Sequence, residues 1–500
     1  MANVLMQIVF VGIGTFAGVY IGAIPGLSAT MAVSLLISLT YGWDVHSALA
    51  VMMGIWVGGV YGGSRAAILL NIPGAPAAVA TTFDGYPLAQ KGQAGKAIAV
   101  STIVSVFGGM VGLVVMLLAA PAISSVALRF SPKDYVLLLL MGLMLVGSIG
   151  GKSLFRGIFT ATLGLMLGVV GTDAITGLGR FTFGISDMRT GISYITVMIG
   201  MFGIGEAMYQ LHHLDRPIIK QAMTRITPPV KVLIKLLPLG VRSAIIGTIV
   251  GALPGAGGDL AALMSYDAAK RTVKHSEVPL GEGAYEGIVA PESANNAAVG
   301  GALIPMLTLG IPGDSITAIM IGALQIHNIR VGPTIMTTQP ELFPNLAWLL
   351  LAANIFLLIF GLTGIRLFAK IVEVPREILM PLIMAISIIG SYSVNGNVMD
   401  IVWTVAFGFV GYFMRCFDYP VSPLILGLIL GPNLELNFRR AIMSAGSVPG
   451  MFVDIFTSPF SLVLLALLVL IIVSQVLGGG SKAKGTADKN LASSVEDRKE

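Results

Sequence analysis

Charged side chains are missing from long stretches of this chain. No Asp, Glu, Lys or Arg occurs in 1–43; Asp44 then precedes an uncharged 45–64, and Arg65 an uncharged 66–83. Similar runs cover 97–128, 135–151, 157–172, 190–205, 243–258, 293–313, 315–329, 342–365, 378–399, 401–414, 419–434 and 455–481. A bilayer-spanning helix needs about 20 mostly apolar residues. Several runs fall short of that, and the first is long enough for two segments. The pattern predicts an all-α polytopic membrane protein with roughly ten to fourteen membrane elements, some of them broken or re-entrant.

Composition excludes the other classes. Charged residues make up 11% of 500, apolar residues 55%, and mean hydropathy is +0.88. Soluble domains carry about a quarter charged residues, so a soluble enzyme and a disordered chain are both excluded. A single cysteine, Cys416, excludes a disulfide scaffold, and the five histidines show no metal-ligand spacing. No G-x-x-x-x-G-K-[ST] phosphate loop occurs, and the net charge of +5 is too small to argue for nucleic acid. The chain reads as a non-enzyme without a transition metal. No Lys or Arg precedes Arg65, so the first apolar segment is expected to stay as a membrane helix.

Residues 212–242 hold Arg216, Lys220, Arg225, Lys231, Lys235 and Arg242 against Asp215 alone. The positive-inside rule places this linker in the cytoplasm. It divides a first membrane repeat, 1–211, from a second, 243–480, and 481–500 reads as a disordered polar tail.

The two parts resemble each other. Gly22-Ala23-Ile24-Pro25-Gly26-Leu27-Ser28-Ala29-Thr30 aligns without a gap on Gly251-Ala252-Leu253-Pro254-Gly255-Ala256-Gly257-Gly258-Asp259, at an offset of 229. Downstream, Asn71-Ile72-Pro73-Gly74-Ala75-Pro76 aligns on Gly310-Ile311-Pro312-Gly313-Asp314-Ser315, at an offset of 239. A Gly-Gly pair precedes each, Gly62-Gly63 and Gly300-Gly301. The same two motifs in the same order indicate an internal duplication, with the halves expected to be inverted repeats.

Pro-Gly interrupts a helix: proline removes a donor and clashes with the preceding turn, and glycine accepts left-handed geometry. In hydrocarbon such a break survives only beside protein or a water-filled cavity. Paired breaks in two halves point to a secondary transporter's binding site, where half-helix N-termini face an anion and freed carbonyls face a coupling cation. The expected substrate-binding residues are therefore Pro25, Gly26, Ser28, Thr30, Asn71, Pro73, Gly74, Pro254, Gly255, Gly257, Pro312 and Gly313. Ser64 and Arg65 join them because a guanidinium at the edge of an apolar run can pair with a carboxylate. Asn295 and Asn296 join because adjacent amides suit a cation or a carboxylate. The second copy carries Asp259 where the first has Thr30, and Asp314 where it has Ala75. Ionisable groups in a membrane default to function, so Asp259, Asp314, Ser315, Asn295 and Asn296 are the expected site for a Na⁺ or H⁺ coupling ion. A simple N-cap role competes for both aspartates. A membrane channel for small anions is the alternative class, since glycine-rich breaks also line pores.

Tyr61-Gly62-Gly63-Ser64, Leu70-Asn71-Ile72-Pro73-Gly74-Ala75-Pro76, Asp84-Gly85-Tyr86-Pro87 and Lys91-Gly92-Gln93-Ala94-Gly95 resemble the large membrane subunit of the tripartite tricarboxylate transporters. So does Gly287-Ile288-Val289-Ala290-Pro291-Glu292-Ser293-Ala294-Asn295-Asn296, continuing to Gly310-Ile311-Pro312-Gly313-Asp314. The resemblance implies a multi-pass permease of the bacterial inner membrane. It implies a periplasmic solute-binding protein that delivers an organic carboxylate, a small four-helix membrane subunit, and a Na⁺ or H⁺ gradient in place of ATP; a homodimer is compatible with it. Many family members carry a hydroxyl residue where this chain has Ala75, which implies a ligand other than citrate if Ala75 lines the substrate site.

Overall fold

The computed structural model describes residues 2–24, 27–71, 73–149, 154–173, 175–212, 229–273, 276–363 and 376–473. Pro25, Gly26, residues 213–228 of the basic linker and the polar tail lie outside the described residues.

Helices dominate, as the uncharged runs require. The chain begins with α1 (Ala2–Ala23), α2 (Ala29–Thr40), α3 (Val45–Leu70), α4 (Ala78–Leu88) and α5 (Ala94–Ala127). Next come α6 (Pro132–Ile149), α7 (Leu154–Gly168), α8 (Tyr194–Met198) and α9 (Gly205–His212). After the linker follow α10 (Val230–Lys235), α11 (Leu237–Gly251), α12 (Gly257–Thr272), α13 (Glu286–Leu309) and α14 (Ser315–Ile326). The short α15 (Ile335–Thr338) precedes α16 (Leu342–Thr363), α17 (Arg376–Asn395), α18 (Val398–Cys416), α19 (Val421–Ala445), α20 (Val448–Thr457) and α21 (Pro459–Val473). Among the described residues the one sheet pairs Gly171–Thr172 with Gly179–Arg180, antiparallel.

Among the described residues six helical stretches are long and apolar enough to cross a membrane, and a seventh is counted if α20 and α21, bent by 94°, act as one. Five shorter apolar helices accompany them. The protein is an all-helical, multi-pass membrane protein. The 24-residue α13 is less apolar, since it carries Glu292, Asn295 and Asn296, yet it is buried from Glu286 to Thr308.

The described chain forms two compact units that do not coincide with the two halves. One comprises Met1–Arg129, Val170–Thr172 and Gly179–Phe417; the other comprises Phe130–Val169, Asp173–Leu178 and Asp418–Glu500. In the smaller unit α7 crosses α19 where Gly427 meets Ala161 and Gly164 meets Leu424. At the start of α6 in the same unit, Asp134 accepts from Ser131 and from the Ser461 hydroxyl at 2.5 Å.

In the larger unit α1 and α3 pack through two glycine stripes at four-residue spacing, Gly14, Gly18 and Gly22 against Gly54, Gly58 and Gly62. A methyl at Gly18 would sit 2.5 Å from the Ile55 carbonyl oxygen, and one at Gly62 would sit 2.5 Å from that of Val19. Small residues let helix backbones approach where lipid provides no hydrophobic drive for association. The second half repeats this contact residue for residue. Gly18 on Ile55 becomes Gly247 on Ala294, Gly22 on Gly59 becomes Gly251 on Ala298, and Gly62 on Val19 becomes Gly301 on Thr248. The counterpart of Gly62 is thus Gly301, one residue out of step with the paired Gly-Gly motifs.

The halves also interleave. α2 packs on α14 and α4 on α12; α5 packs on α11 and α13, while α16 packs on α1 and α3. Each half's following long helix therefore covers the other half's helix pair.

Candidate functional site

The breaks have matching geometry in both halves. Asn71 ends α3 in the left-handed region at φ 54°, and its counterpart Gly310 ends α13 at φ 70°. Gly74 then rests on the backbones of Gly22 and Gly63, and Gly313 on those of Gly251 and Ala302. A side chain at either glycine would collide with these neighbours, which is why both breaks need glycine there.

New helices start beyond the breaks, and their caps differ. Ser28 caps α2 by accepting from the Met31 N–H at 3.1 Å. Asp314 caps α14, accepting from the Thr317 N–H at 2.7 Å, while its own N–H donates to the Thr317 hydroxyl at 2.8 Å. α4 has no such residue, because its N-cap is Ala77. The missing acceptor comes from the second half: the Ala77 N–H donates to the Asp259 carboxylate at 3.0 Å. Both aspartates therefore cap helices, Asp314 its own and Asp259 one in the first half.

The breaks meet at this junction. A Cβ at Gly257 would lie 3.2 Å from that of Asp314, and the Asn295 amide donates to the Val60 carbonyl at 3.4 Å while its oxygen faces Gly258. Asp259 and Asn71 are exposed, and Ser28, Thr30, Pro73, Pro254, Gly255, Asp314 and Ser315 are partly accessible. Gly74, Gly257, Pro312 and Gly313 form the buried floor behind them. Carboxylates, hydroxyls and helix N-termini are thus reachable at one place, an arrangement suited to a small polar ligand with a cation.

Ser64, Arg65, Asn295 and Asn296 lie deeper, each at most 3% exposed. The Arg65 guanidinium turns away from the breaks. It donates to the carbonyls of Phe360 (2.9 Å) and Gly361 on α16 and to the Tyr61 hydroxyl at 3.2 Å.

Two further acidic residues escaped the sequence-based set. Asp84 on α4 accepts from the Tyr266 hydroxyl (2.9 Å) and from the backbone N–H groups of Gly281, Gly283 and Ala284 (2.9, 2.9 and 2.7 Å). Glu292 on α13 accepts from Ser64 (2.5 Å), Thr81 and Ser105 (3.0 Å). Glu292 immediately precedes the uncharged run 293–313, a position that marks it as a helix edge; in space it is 1% exposed.

A multi-pass helical bundle whose paired broken helices bring accessible polar groups together defines a membrane transport protein. The chain belongs to the tripartite tricarboxylate transporter TctA family, whose model matches residues 8–426. It is 36% identical over 472 residues to the "Uncharacterized 52.8 kDa protein in TAR-I ttuC' 3'region" of Agrobacterium vitis, covering 92% of this chain and 91% of that one. The "Uncharacterized protein in TAR-II ttuC' 3'region" of the same organism is 37% identical over 231 residues, covering 46% of this chain and 94% of that relative. No solved structure matches.

Proposed function

We propose that this chain is the permease of a three-part uptake system in a bacterial inner membrane. A periplasmic solute-binding protein hands it a small organic carboxylate, a small four-helix subunit completes the complex, and a Na⁺ or H⁺ gradient drives import. The observation that carries this reading is the junction of the breaks, where Asp259 of one half caps α4 of the other and Gly257 approaches Asp314. The substrate carboxylates bind the N-termini of α2 and α4, and the coupling cation binds near Asp259 and Asp314. The halves are inverted in the membrane and move against each other to alternate access.

Uptake of labelled carboxylates into proteoliposomes that hold the permease and small subunit, with the receptor outside, tests the reading. Saturable, receptor-dependent, gradient-driven uptake is expected; ohmic single-channel currents without the receptor would replace it with a channel. Asp314→Asn keeps a good N-cap residue, so the variant should reach the membrane. Its half-saturating cation concentration for uptake should rise about tenfold, roughly 1.4 kcal/mol, and an unchanged value removes Asp314 from the cation site.

A further inference from the structure

The Glu292 carboxylate occupies a polar cell unlike anything at the breaks. Three hydroxyls from three helices donate to it: Ser64 from α3, Thr81 from α4 and Ser105 from α5. Ser101, one turn before Ser105 on the same helix, is 1% exposed, and its hydroxyl has no hydrogen-bond partner among the described residues. Asn296, also 1% exposed, gives its amide N–H to the Glu292 carbonyl at 3.1 Å and leaves its side-chain oxygen without a partner.

Among the described residues no Lys, Arg or His forms an ion pair with Glu292. Most ionisable groups on the elements around α13 are held elsewhere. On α3, Arg65 binds the α16 carbonyls; on α4, Asp84 holds the Gly281–Ala284 amides; on α12, Asp259 caps α4 and Asp267 pairs with Arg271. Tyr266 of α12 donates to Asp84, Arg242 of α11 donates to Thr272, Asp314 caps α14, and Lys96 of α5 is exposed. A carboxylate taken from water without a neutralising partner is costly.

The duplication shows that packing does not demand this cell. At the offset of 239 that relates α3 and α4 to α13 and α14, Glu292 corresponds to Met53, Ser64 to Leu303 and Thr81 to Met320. All three counterparts are 0% exposed. The same positions in the repeat are filled by apolar side chains, so the fold is met without a single polar group there. The carboxylate and its hydroxyls occur in one copy only, and burying that charge without a partner is costly.

We propose that Glu292, with Ser64, Thr81, Ser101 and Ser105, is a binding site for one monovalent cation, held as Na⁺ or as H⁺. Its donors are all oxygen, a set that suits hard cations and no transition metal. Its use as a second coupling site, beside the one near Asp259 and Asp314, rests on the transporter reading above; its cation binding does not.

Melting of the purified full chain in detergent tests the binding directly. One series titrates NaCl against choline chloride at constant ionic strength and fixed pH, and a second varies pH without Na⁺. The wild type should respond to one of the two: a Na⁺-dependent rise in Tm identifies sodium, and a response to pH alone identifies the proton. Glu292→Gln should abolish the Na⁺ response, or remove from the pH response the one titrating step that Glu292 contributes. A triple variant carrying Ser64→Leu, Thr81→Met and Glu292→Met copies the other half, and should fold without responding. Ser105→Ala keeps the carboxylate and should shift the half-saturating Na⁺ concentration, or the pH midpoint, at least fivefold. A wild type indifferent to both ions, or a Glu292→Gln or Ser105→Ala chain that responds as wild type does, overturns the proposal. Uptake is not read in these arms, so absent carboxylate transport would sink the permease reading and leave the cation site standing.

Discussion

Asp84 shows how one carboxylate can join the halves of a membrane protein. Its two oxygens take four hydrogen bonds, three from backbone N–H groups of the loop before α13 and one from Tyr266 on α12. Asp84→Ala leaves four donors without an acceptor, and an unsatisfied buried donor costs about 1–3 kcal/mol, so a loss of about 3 kcal/mol or more is expected. Thermal unfolding of the purified variant, followed by light scattering, checks it. Asp173 acts through the same chemistry outside the spans. The Thr176 and Ile175 N–H groups hold its carboxyl down to about 2, with the Arg439 guanidinium at 2.8 Å adding to the effect. An unfolded Asp titrates near 3.9, so this stabilisation is complete above about pH 4 and is lost as pH falls through about 2. Hydrogen-exchange protection of the Ile175 and Thr176 amides should drop across that window in the wild type, and be weak at every pH in Asp173→Ala.

At the scale of elements, the excess of glycine has a structural cause. The 62 glycines of the chain include the stripes that bring α1 onto α3, together with the floors of the breaks. Gly18→Ala drives a methyl against the Ile55 carbonyl oxygen in a contact where neither helix can retreat. Overpacking of this kind costs about 1–3 kcal/mol. Gly42 has open space around its missing Cβ. A lower Tm for Gly18→Ala with no change for Gly42→Ala is therefore expected in parallel melts. The helical class and the breaks were legible in the sequence because both are local signals: charge-free length and Pro-Gly placement. The caps were half legible. Asp314 reads as a cap from its own helix start, whereas Asp259 caps a helix that lies 182 residues earlier in its hydrogen bond to Ala77, a pairing no local pattern carries. Arg65 and Glu292 were hidden for a further reason. Runs delimited by charges put every charged residue at a run's edge, so a charge buried in mid-helix cannot be distinguished from one at a membrane surface.

For the whole molecule, the duplication in two short motifs extends to the packing of α1 and α3 against that of α11 and α13. The sequence does not disclose how the halves are exchanged, since the contacts of α5 with α13 and of α16 with α3 join distant segments. The transporter family was legible through its motifs, and the smaller compact unit was not, because it draws on both halves. The exchange of α5 also sets the timetable of biogenesis. A ribosome adds about 5–20 residues each second. The last residue of α5 is Ala127, and α13 is complete only at Leu309. α5 consequently enters the bilayer on the order of 10–40 s before the surface that covers its glycines has been synthesised. During that wait its Gly108 and Gly112, which later meet Ser293 and Ala297, face lipid or the insertion machinery. A nascent chain arrested between α5 and α13 is thus a natural client for a membrane chaperone.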